Sequence, residues 1–163
     1  MIFPALCTLV LSLAVVVQSS TPAMNGTRVA TRHLTAATSL SVATVAPGGR
    51  FEAYVDIVPK PRMHVYAPEE RAYQSVSLTL SPAAGVTARR PVFPKGERFF
   101  FAPLNETQIV FSTPFRIAVP LTVSPSAKPG RRDLTASLEY QACDDTVCYL
   151  PTKTALTWTI TIQ

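Results

Sequence analysis

The amino-acid sequence predicts an all-β protein built from short antiparallel strands. Three observations carry this prediction. Apolar residues recur at every second position in several short segments, Gly and Pro residues separate these segments, and no long stretch has helical periodicity. The chain has 163 residues, enough for one domain. A composition of 47% hydrophobic and 15% charged residues excludes an acidic disordered chain and fits a compact, turn-rich fold.

The amino-terminal residues 1–23 have the layout of a secretory signal peptide. The stretch from Met1 to Val17 is nearly all apolar and is followed by small and polar residues. This run is shorter than the roughly 20 residues that a spanning helix needs, although an uncleaved anchor is the alternative. Residues 24–37, rich in Thr, Ala and Arg, are predicted to be a flexible linker, and residues 38–163 to be the folded domain. We therefore expect an exported protein.

Three strands are predicted in the first half of the domain. The first runs from Leu40 to Thr44, ahead of a Pro-Gly-Gly turn. The second runs from Phe51 to Ile57 and ends at a pair of nearby prolines. The third runs from Val76 to Leu80 and ends at Pro82. In each strand alternate residues are apolar, which is typical of a strand with one buried face.

Three further strands are predicted in the second half. The most regular alternation runs from Phe115 to Val123. The last two strands, Leu134 to Tyr140 and Leu156 to Ile162, each place their apolar residues on one face. Strands this short, evenly spaced and half-buried indicate an immunoglobulin-like antiparallel β-sandwich.

Two cysteines, Cys143 and Cys148, lie between the last two predicted strands. Four residues separate them, a length that suits a hairpin loop. Cross-strand neighbours have Cα atoms about 4.5–5.5 Å apart, within the range of about 4.4–6.8 Å that a disulfide requires. Such a short loop gives the bond only roughly 2 kcal/mol as a staple. A redox-active pair and a purely structural disulfide both remain open.

The register around the cysteines predicts an irregularity. If Cys143 pairs with Cys148, even-numbered residues of one strand face odd-numbered residues of the other. The apolar residues, however, are even-numbered on both strands. A shift by an odd number of residues must therefore intervene, as a β-bulge or as a break at residues 149–151, where Pro151 cannot donate to the ladder.

Two aspartates, Asp144 and Asp145, adjoin the cysteine pair. Nearby negative charge disfavours a thiolate, so we expect the disulfide to receive attack from a partner. Because Cys143 directly adjoins Asp144, it should be the slower target for an incoming anion. Ordinary turn chemistry is the alternative role for both aspartates.

Composition also argues against two other kinds of function. The formal net charge is +5, but Arg and Lys are scattered and no nucleic-acid motif accompanies them, so we expect no nucleic-acid binding. His33 lies in the predicted linker, and His64 with two close cysteines provides no four-ligand zinc set. We expect neither a metal nor another cofactor.

Residues 140–151, Tyr-Gln-Ala-Cys-Asp-Asp-Thr-Val-Cys-Tyr-Leu-Pro, resemble the family of N-terminal periplasmic domains of the thiol:disulfide interchange protein DsbD. The resemblance lies in Tyr-Gln-x-Cys, a short loop, Cys-x-x-Pro and a closing strand. His64–Tyr66, Phe93–Pro94 and residues 99–111 are similar to the middle portion of the family. The resemblance extends from about Ser39 to Gln163.

The resemblance implies an immunoglobulin-like thiol-disulfide oxidoreductase that relays electrons. The donor would be a thioredoxin-like domain or a membrane thiol reductase, and the acceptor a periplasmic disulfide isomerase or another oxidised protein. A periplasmic or otherwise extracytoplasmic location and a connection with cytochrome c biogenesis are also implied. Because neither a membrane domain nor a thioredoxin-like domain follows in this sequence, we expect it to use separate partners. We also expect a monomer. A secreted immunoglobulin-like binding or adhesion module with a structural disulfide is the alternative.

The resemblance also implies roles for individual residues. Cys148 would form the mixed disulfide with a partner, and Cys143 would resolve it. The aromatic cluster Phe99, Phe100 and Phe101 is the candidate for a cap that shields the pair, with core packing as the alternative. The expected lining residues are His64, Tyr66, Asp144, Asp145 and Tyr149. For His64 and Tyr66, a structural role at a buried edge is the alternative.

Overall fold

A computed structural model describes residues 26–163, and the predicted signal peptide lies outside the described residues. The predicted all-β, immunoglobulin-like fold is confirmed. Within this part of the chain no helix is long and apolar enough to cross a membrane. In chain order the elements are β1 (Arg28–Ala30), β2 (Leu34–Leu40), β3 (Thr44–Val45), β4 (Arg50–Pro59), β5 (His64–Tyr66), β6 (Ser77–Leu80), β7 (Val86–Ala88), β8 (Glu97–Phe101), a short 3-10 helix (Ala102–Leu104), β9 (Glu106–Phe111), β10 (Phe115–Val123), β11 (Gly130–Tyr140), β12 (Ala142–Cys143) and β13 (Thr152–Ile162).

The strands form three sheets. The first has the order β1-β2-β4-β10-β7, the second β3-β13-β11-β6 and the third β12-β5-β9-β8. Among the described strands the neighbours are antiparallel, except that β13 and β3 run parallel. The first two sheets pack against each other, and their alternate residues form one continuous core. Trp158 of β13 is fully buried there and donates its indole N–H to the carbonyl oxygen of Tyr54 on β4, at 3.0 Å.

Five of the six predicted strands are confirmed, in β4, β6, β10, β11 and β13. The predicted strand from Leu40 to Thr44 is wrong. Strand β2 ends at Leu40, and β3 begins at Thr44. The chain changes sheets between these residues, since β2 pairs with β4 while β3 pairs with β13. Ser41 stabilises this crossing by accepting a hydrogen bond from the backbone N–H of Glu52 at 2.9 Å.

The amino-terminal arm also differs from the expectation. Residues 28–30 form β1 and residues 34–37 form the first part of β2, although all of them were assigned above to a flexible linker. Strand β2 pairs with β4, and its Leu34 and Ala36 are fully buried. The Thr38 hydroxyl donates to the carbonyl oxygen of Thr157 at 2.8 Å. In this segment Leu and Ala alternate mainly with Thr and Ala, which differ little from one another in hydrophobicity. The sequence therefore lacked the clear alternation that predicts a strand.

The third sheet positions the cysteines. The chain leaves β11 at Gln141, and β12 then pairs with β5, so that Cys143 lies opposite His64. The predicted change of register is confirmed. The residue numbers of partners in β11 and β13 add up to an even number, as for Tyr140 and Thr152. The numbers of the partners Cys143 and Cys148 add up to an odd number, so the register has shifted. The break falls where it was predicted, because residues 149–151 belong to no strand.

Candidate functional site

A disulfide bond joins Cys143 and Cys148 at the neck of a tight loop. Their Cα atoms are 4.0 Å apart, closer than the expected separation. Two backbone hydrogen bonds of 2.9 Å close the loop, from Asp144 N–H to the Val147 carbonyl and from Tyr149 N–H to the Ala142 carbonyl. The two cysteines are unequally exposed. Cys143 is 1% exposed, whereas Cys148 is half-buried.

The Asp144 carboxylate shapes the loop. It accepts hydrogen bonds from the backbone N–H groups of Thr146 and Val147, both at 2.8 Å, and from the Tyr149 hydroxyl at 2.7 Å. These bonds, that from Tyr149 first, hold the pKa of Asp144 well below its usual range. An ionised Asp144 thus acts within the turn, as the turn-chemistry alternative describes.

Asp145 contacts the turn that precedes β5 and the first residue of that strand. Its carboxylate accepts hydrogen bonds from Arg62 Nε at 2.6 Å and contacts His64 Nε2 at 3.2 Å. The hydrogen bond from Arg62 is the main reason that the pKa of Asp145 is lowered. Arg62 has a positive φ of 66°. Sequence reasoning missed Arg62. Its positive charge offsets the negative charge of the loop, which was expected to slow the attack of an anion.

His64 is 7% exposed and links three parts of the site. Its Nδ1 lies 2.9 Å from the Ser112 hydroxyl, and its Nε2 contacts Asp145. The ring stacks on Phe99, with centroids 3.9 Å apart. His64 therefore connects the cysteine loop to β8 and to the end of β9.

Tyr66 is the side chain that contacts both sulfurs. Its hydroxyl oxygen is 3.0 Å from Cys143 Sγ and 3.2 Å from Cys148 Sγ. The residue is 1% exposed, and burial raises the pKa of Tyr66 far above its ordinary value. The hydroxyl consequently keeps its proton and can donate a hydrogen bond to sulfur.

The three phenylalanines of the proposed cap have different surroundings. Phe99 is half-buried and, like Cys148, packs against a buried group of Tyr66, Val110 and Cys143. Phe100 is 58% exposed, and Phe101 is 2% exposed. Alternation along β8 explains why Phe100 is more exposed than Phe99 and Phe101, because successive side chains point to opposite faces. The structure brings only Phe99 of the three to the disulfide, and its role as a cap stays a prediction.

Tyr149 connects the cysteine loop to the amino-terminal arm. Its ring lies 4.7 Å from the ring of His33, and the Arg32 guanidinium is 5.9 Å from its centroid. His33 was placed in a linker, yet it is 6% exposed and neither ring nitrogen has a hydrogen-bond partner. Burial first, and then the charges of Arg32 and Lys60, lower the pKa of His33.

Gln141 holds the segment after Cys148 in place. Its side-chain N–H donates to the Tyr149 carbonyl at 2.9 Å, and its side-chain oxygen accepts from the Gln74 N–H at 3.2 Å. The Tyr-Gln-x-Cys pattern was the available signal for this role. No comparable signal marked Tyr73, whose ring stacks on Tyr66 with centroids 4.6 Å apart.

Among residues 26–163 no three His, Cys, Asp or Glu side chains are grouped so that they could hold a metal ion. The arrangement suits exchange at sulfur, since Cys143 is buried, Cys148 is half-buried, and a hydroxyl donor lies beside both sulfurs.

The chain is similar to known proteins over most of its length. The family model described as "Thiol:disulfide interchange protein DsbD, N-terminal" matches residues 31–159. The N-terminal periplasmic domain of ScsB from Proteus mirabilis is 10% identical, with a TM-score of 0.57, covering 83% of this chain and 51% of that one. The chain therefore spans about half the length of that domain. The DsbD N-terminal domain of Neisseria meningitidis, in its reduced form, is 23% identical with a TM-score of 0.43, covering 68% of this chain and 82% of that one. No curated protein matches significantly.

Proposed function

Because this chain belongs to the family of N-terminal domains of the thiol:disulfide interchange protein DsbD, we propose that it relays electrons through Cys143 and Cys148. Thiol–disulfide interchange is the general activity of that family. The observation that carries the proposal is the unequal exposure of the two bonded cysteines, with the Tyr66 hydroxyl beside both sulfurs. We propose a thioredoxin-like domain or a membrane thiol reductase as donor, and a periplasmic disulfide isomerase or another oxidised protein as acceptor.

The first half of the relay reduces the disulfide. A donor thiolate attacks Cys148 Sγ, a new S–S bond forms, and the bond to Cys143 breaks. The electron pair of the broken bond moves to Cys143 Sγ, which takes up a proton. The second donor thiolate then attacks the donor sulfur of the mixed disulfide and displaces Cys148 as a thiolate, which is also protonated. The donor dithiol is oxidised to a disulfide, and this chain gains two electrons and two protons.

The second half returns the electrons to an acceptor. The Cys148 thiol loses its proton, and the resulting thiolate attacks the acceptor disulfide and forms a mixed disulfide, while one acceptor sulfur leaves with the electron pair and is protonated. The Cys143 thiol then loses its proton and attacks Cys148 Sγ as a thiolate, which restores the original disulfide and releases the second acceptor sulfur, which is also protonated. The Tyr66 hydroxyl can donate to the Cys143 sulfur while that sulfur carries charge, because it lies 3.0 Å away.

Location and organisation form part of the same proposal. We place the relay in the periplasm or another extracytoplasmic compartment, where disulfides persist. Residues 1–23 would then be a signal peptide, and the folded domain would act as a monomer. Thiol exchange of this kind uses no metal or other cofactor. A connection with cytochrome c biogenesis stays a prediction.

The reduction potential tests this function against the alternative of a binding module. A structural disulfide is expected below about −300 mV, and a working relay well above it. The oxidised protein is equilibrated with defined ratios of reduced and oxidised glutathione, and the free thiols are alkylated and counted by mass spectrometry. A potential below that value would assign the bond a structural role and favour the secreted binding module.

We also propose that Phe99 is the part of β8 that shields the disulfide. Phe99→Ala should speed reduction by dithiothreitol, because this ring packs against the buried group that contains Cys143. Phe100→Ala is the matched control, since Phe100 is 58% exposed on the opposite face of the same strand. An unchanged rate together with a lowered unfolding midpoint in Phe99→Ala would assign Phe99 to core packing.

A further inference from the structure

A second structural element besides β8 packs against the buried group at the disulfide. The loop of residues 67–76, between β5 and β6, places the ring of Tyr73 against the ring of Tyr66. The two rings are nearly parallel, at 4°. The Tyr73 hydroxyl donates a hydrogen bond to the Glu106 carboxylate, on the first residue of β9. Tyr73 thus joins the ring beside the sulfurs to the hairpin formed by β8 and β9.

Glu106 is held on the hairpin side by a buried neighbour. The side-chain N–H of Gln108 donates to Glu106 Oε1 at 2.8 Å, and Gln108 is 1% exposed. The carboxylate thus accepts two donors, one from its own strand and one from the loop. The hydrogen bond to Glu106 is the main reason that the pKa of Tyr73 is raised, so its hydroxyl remains a donor.

The same loop is anchored to the hairpin at a second point. Glu70 Oε2 accepts the backbone N–H of Ile109 on β9 at 3.0 Å. Packing is tight beside it, because a Cβ atom placed on Gly96 would come within 2.5 Å of Ala67 Cβ. Contacts with Ile109 and Gly96 bind the start of the loop to the hairpin. The contact between Tyr73 and Glu106 binds the part of the loop that faces the sulfurs.

The loop and the hairpin both contribute a ring to the packing around the disulfide. Tyr73, Phe99 and Cys148 are half-buried, and all three pack against the same buried group that contains Tyr66 and Cys143. Phe99 belongs to β8 of the hairpin, whereas Tyr73 belongs to the loop. Any outward movement of the hairpin would have to separate Tyr73 from Glu106.

We propose that the hydrogen bond between Tyr73 and Glu106 is a clasp that holds the hairpin closed over the disulfide, and that its opening limits access to Cys148. Tyr73 and Glu106 are positioning residues, since they act through Tyr66 and Phe99. The clasp rests on the proposed function for its purpose, namely to restrict exchange until a dithiol partner displaces the hairpin.

The test measures reduction of the purified oxidised protein by dithiothreitol, which needs no protein partner. Tyr73→Phe keeps the stacked ring and removes the hydroxyl, so reduction should become about tenfold faster, the lower end expected for loss of a hydrogen bond to a charged group. Glu106→Ala should accelerate reduction by a similar factor. The double variant should be no faster than the faster single variant, because both changes remove one shared contact.

The matched control is Tyr54→Phe, which removes a similar hydrogen bond, from the Tyr54 hydroxyl to Glu52 Oε2 at 2.6 Å on β4. Its reduction rate should equal that of the unmodified protein. A Tyr73→Phe rate equal to the Tyr54→Phe rate would overturn the clasp, and so would independent, multiplying effects of the two substitutions in the double variant.

Failure of the clasp and failure of the relay are distinguishable. The relay is tested by the reduction potential of the unmodified protein, an equilibrium quantity that does not depend on how fast the hairpin opens. A potential below about −300 mV would exclude the relay. Equal reduction rates in Tyr73→Phe and Tyr54→Phe would exclude the clasp alone.

Discussion

Replacing Tyr66 with Phe should make the disulfide harder to reduce. The substitution keeps the buried ring and its stacking on Tyr73, and it removes only the hydroxyl that lies 3.0 Å and 3.2 Å from the two sulfurs. A disulfide sulfur is a weak acceptor, whereas a sulfur that gains electron density on reduction accepts a hydrogen bond better. The hydroxyl should therefore stabilise the reduced protein more than the oxidised protein.

The size of the effect follows from the type of contact. A hydrogen bond to an uncharged group contributes about 1 kcal/mol net, and one to a charged group about 1.5–3 kcal/mol. Because Cys143 is 1% exposed, we expect it to be a neutral thiol in the resting reduced protein, and the smaller figure applies. For a two-electron couple about 30 mV corresponds to 1.4 kcal/mol, so the reduction potential should fall by about 20 mV.

The measurement is the glutathione equilibrium, performed on the unmodified protein and on Tyr66→Phe. The matched control is Tyr140→Phe, because Tyr140 is fully buried and its hydroxyl contacts the Thr31 hydroxyl at 2.7 Å instead of a sulfur. Tyr140→Phe should leave the potential unchanged. An unchanged or raised potential in Tyr66→Phe would refute the reasoning, since the hydroxyl would then stabilise the oxidised form at least as strongly.

Three further predictions concern the cysteines, the amino-terminal arm and export. With an oxidised partner, Cys143→Ser should accumulate a covalent complex through Cys148, whereas Cys148→Ser should give little; predominant trapping by Cys148→Ser on non-reducing gels would reverse the roles. Burial lowers the pKa of His33, so between its folded pKa and about 6.5 the unfolded chain binds more protons and stability falls as pH falls. Urea unfolding at pH 7 and 5 should show a larger loss for the unmodified protein than for His33→Phe, and equal losses would contradict this. Mass spectrometry of the exported protein should find an amino terminus at residues 19–24, and an intact Met1 in a membrane fraction would contradict a cleaved signal peptide.

Local patterns were sufficient for much of the fold. A strand with one buried face must alternate apolar and polar residues, and this requirement identified β4, β10, β11 and β13 from sequence alone. The same period of two predicted the change of register beside Cys143 and Cys148, because a one-residue slip moves every side chain to the other face. The hairpin loop between the cysteines was predicted from their spacing alone, and the structure confirms this loop.

Where neighbouring residues differ little in hydrophobicity, the strand prediction was wrong. Leu34 and Ala36 alternate with Thr and Ala in β2, and such residues differ too little in hydrophobicity to mark a strand. Pairing with β4 makes this segment a strand, and that pairing is a long-range contact. His33 was misplaced with it, although its ring packs beside Tyr149.

The sequence by itself determined the fold class, the position of the cysteine pair and the change of register, because each follows from residue type and short-range spacing. Only the tertiary structure decided what surrounds the sulfurs. Tyr66 reaches Cys143 across 77 residues of chain, and Arg62 reaches Asp145 across 83. Tyr73 meets Glu106 across 33 residues, and of three adjacent phenylalanines Phe99 packs against the buried group that contains Cys143. No local pattern contains these contacts, because they arise where separate strands and loops pack together, and sequence separation does not specify that packing.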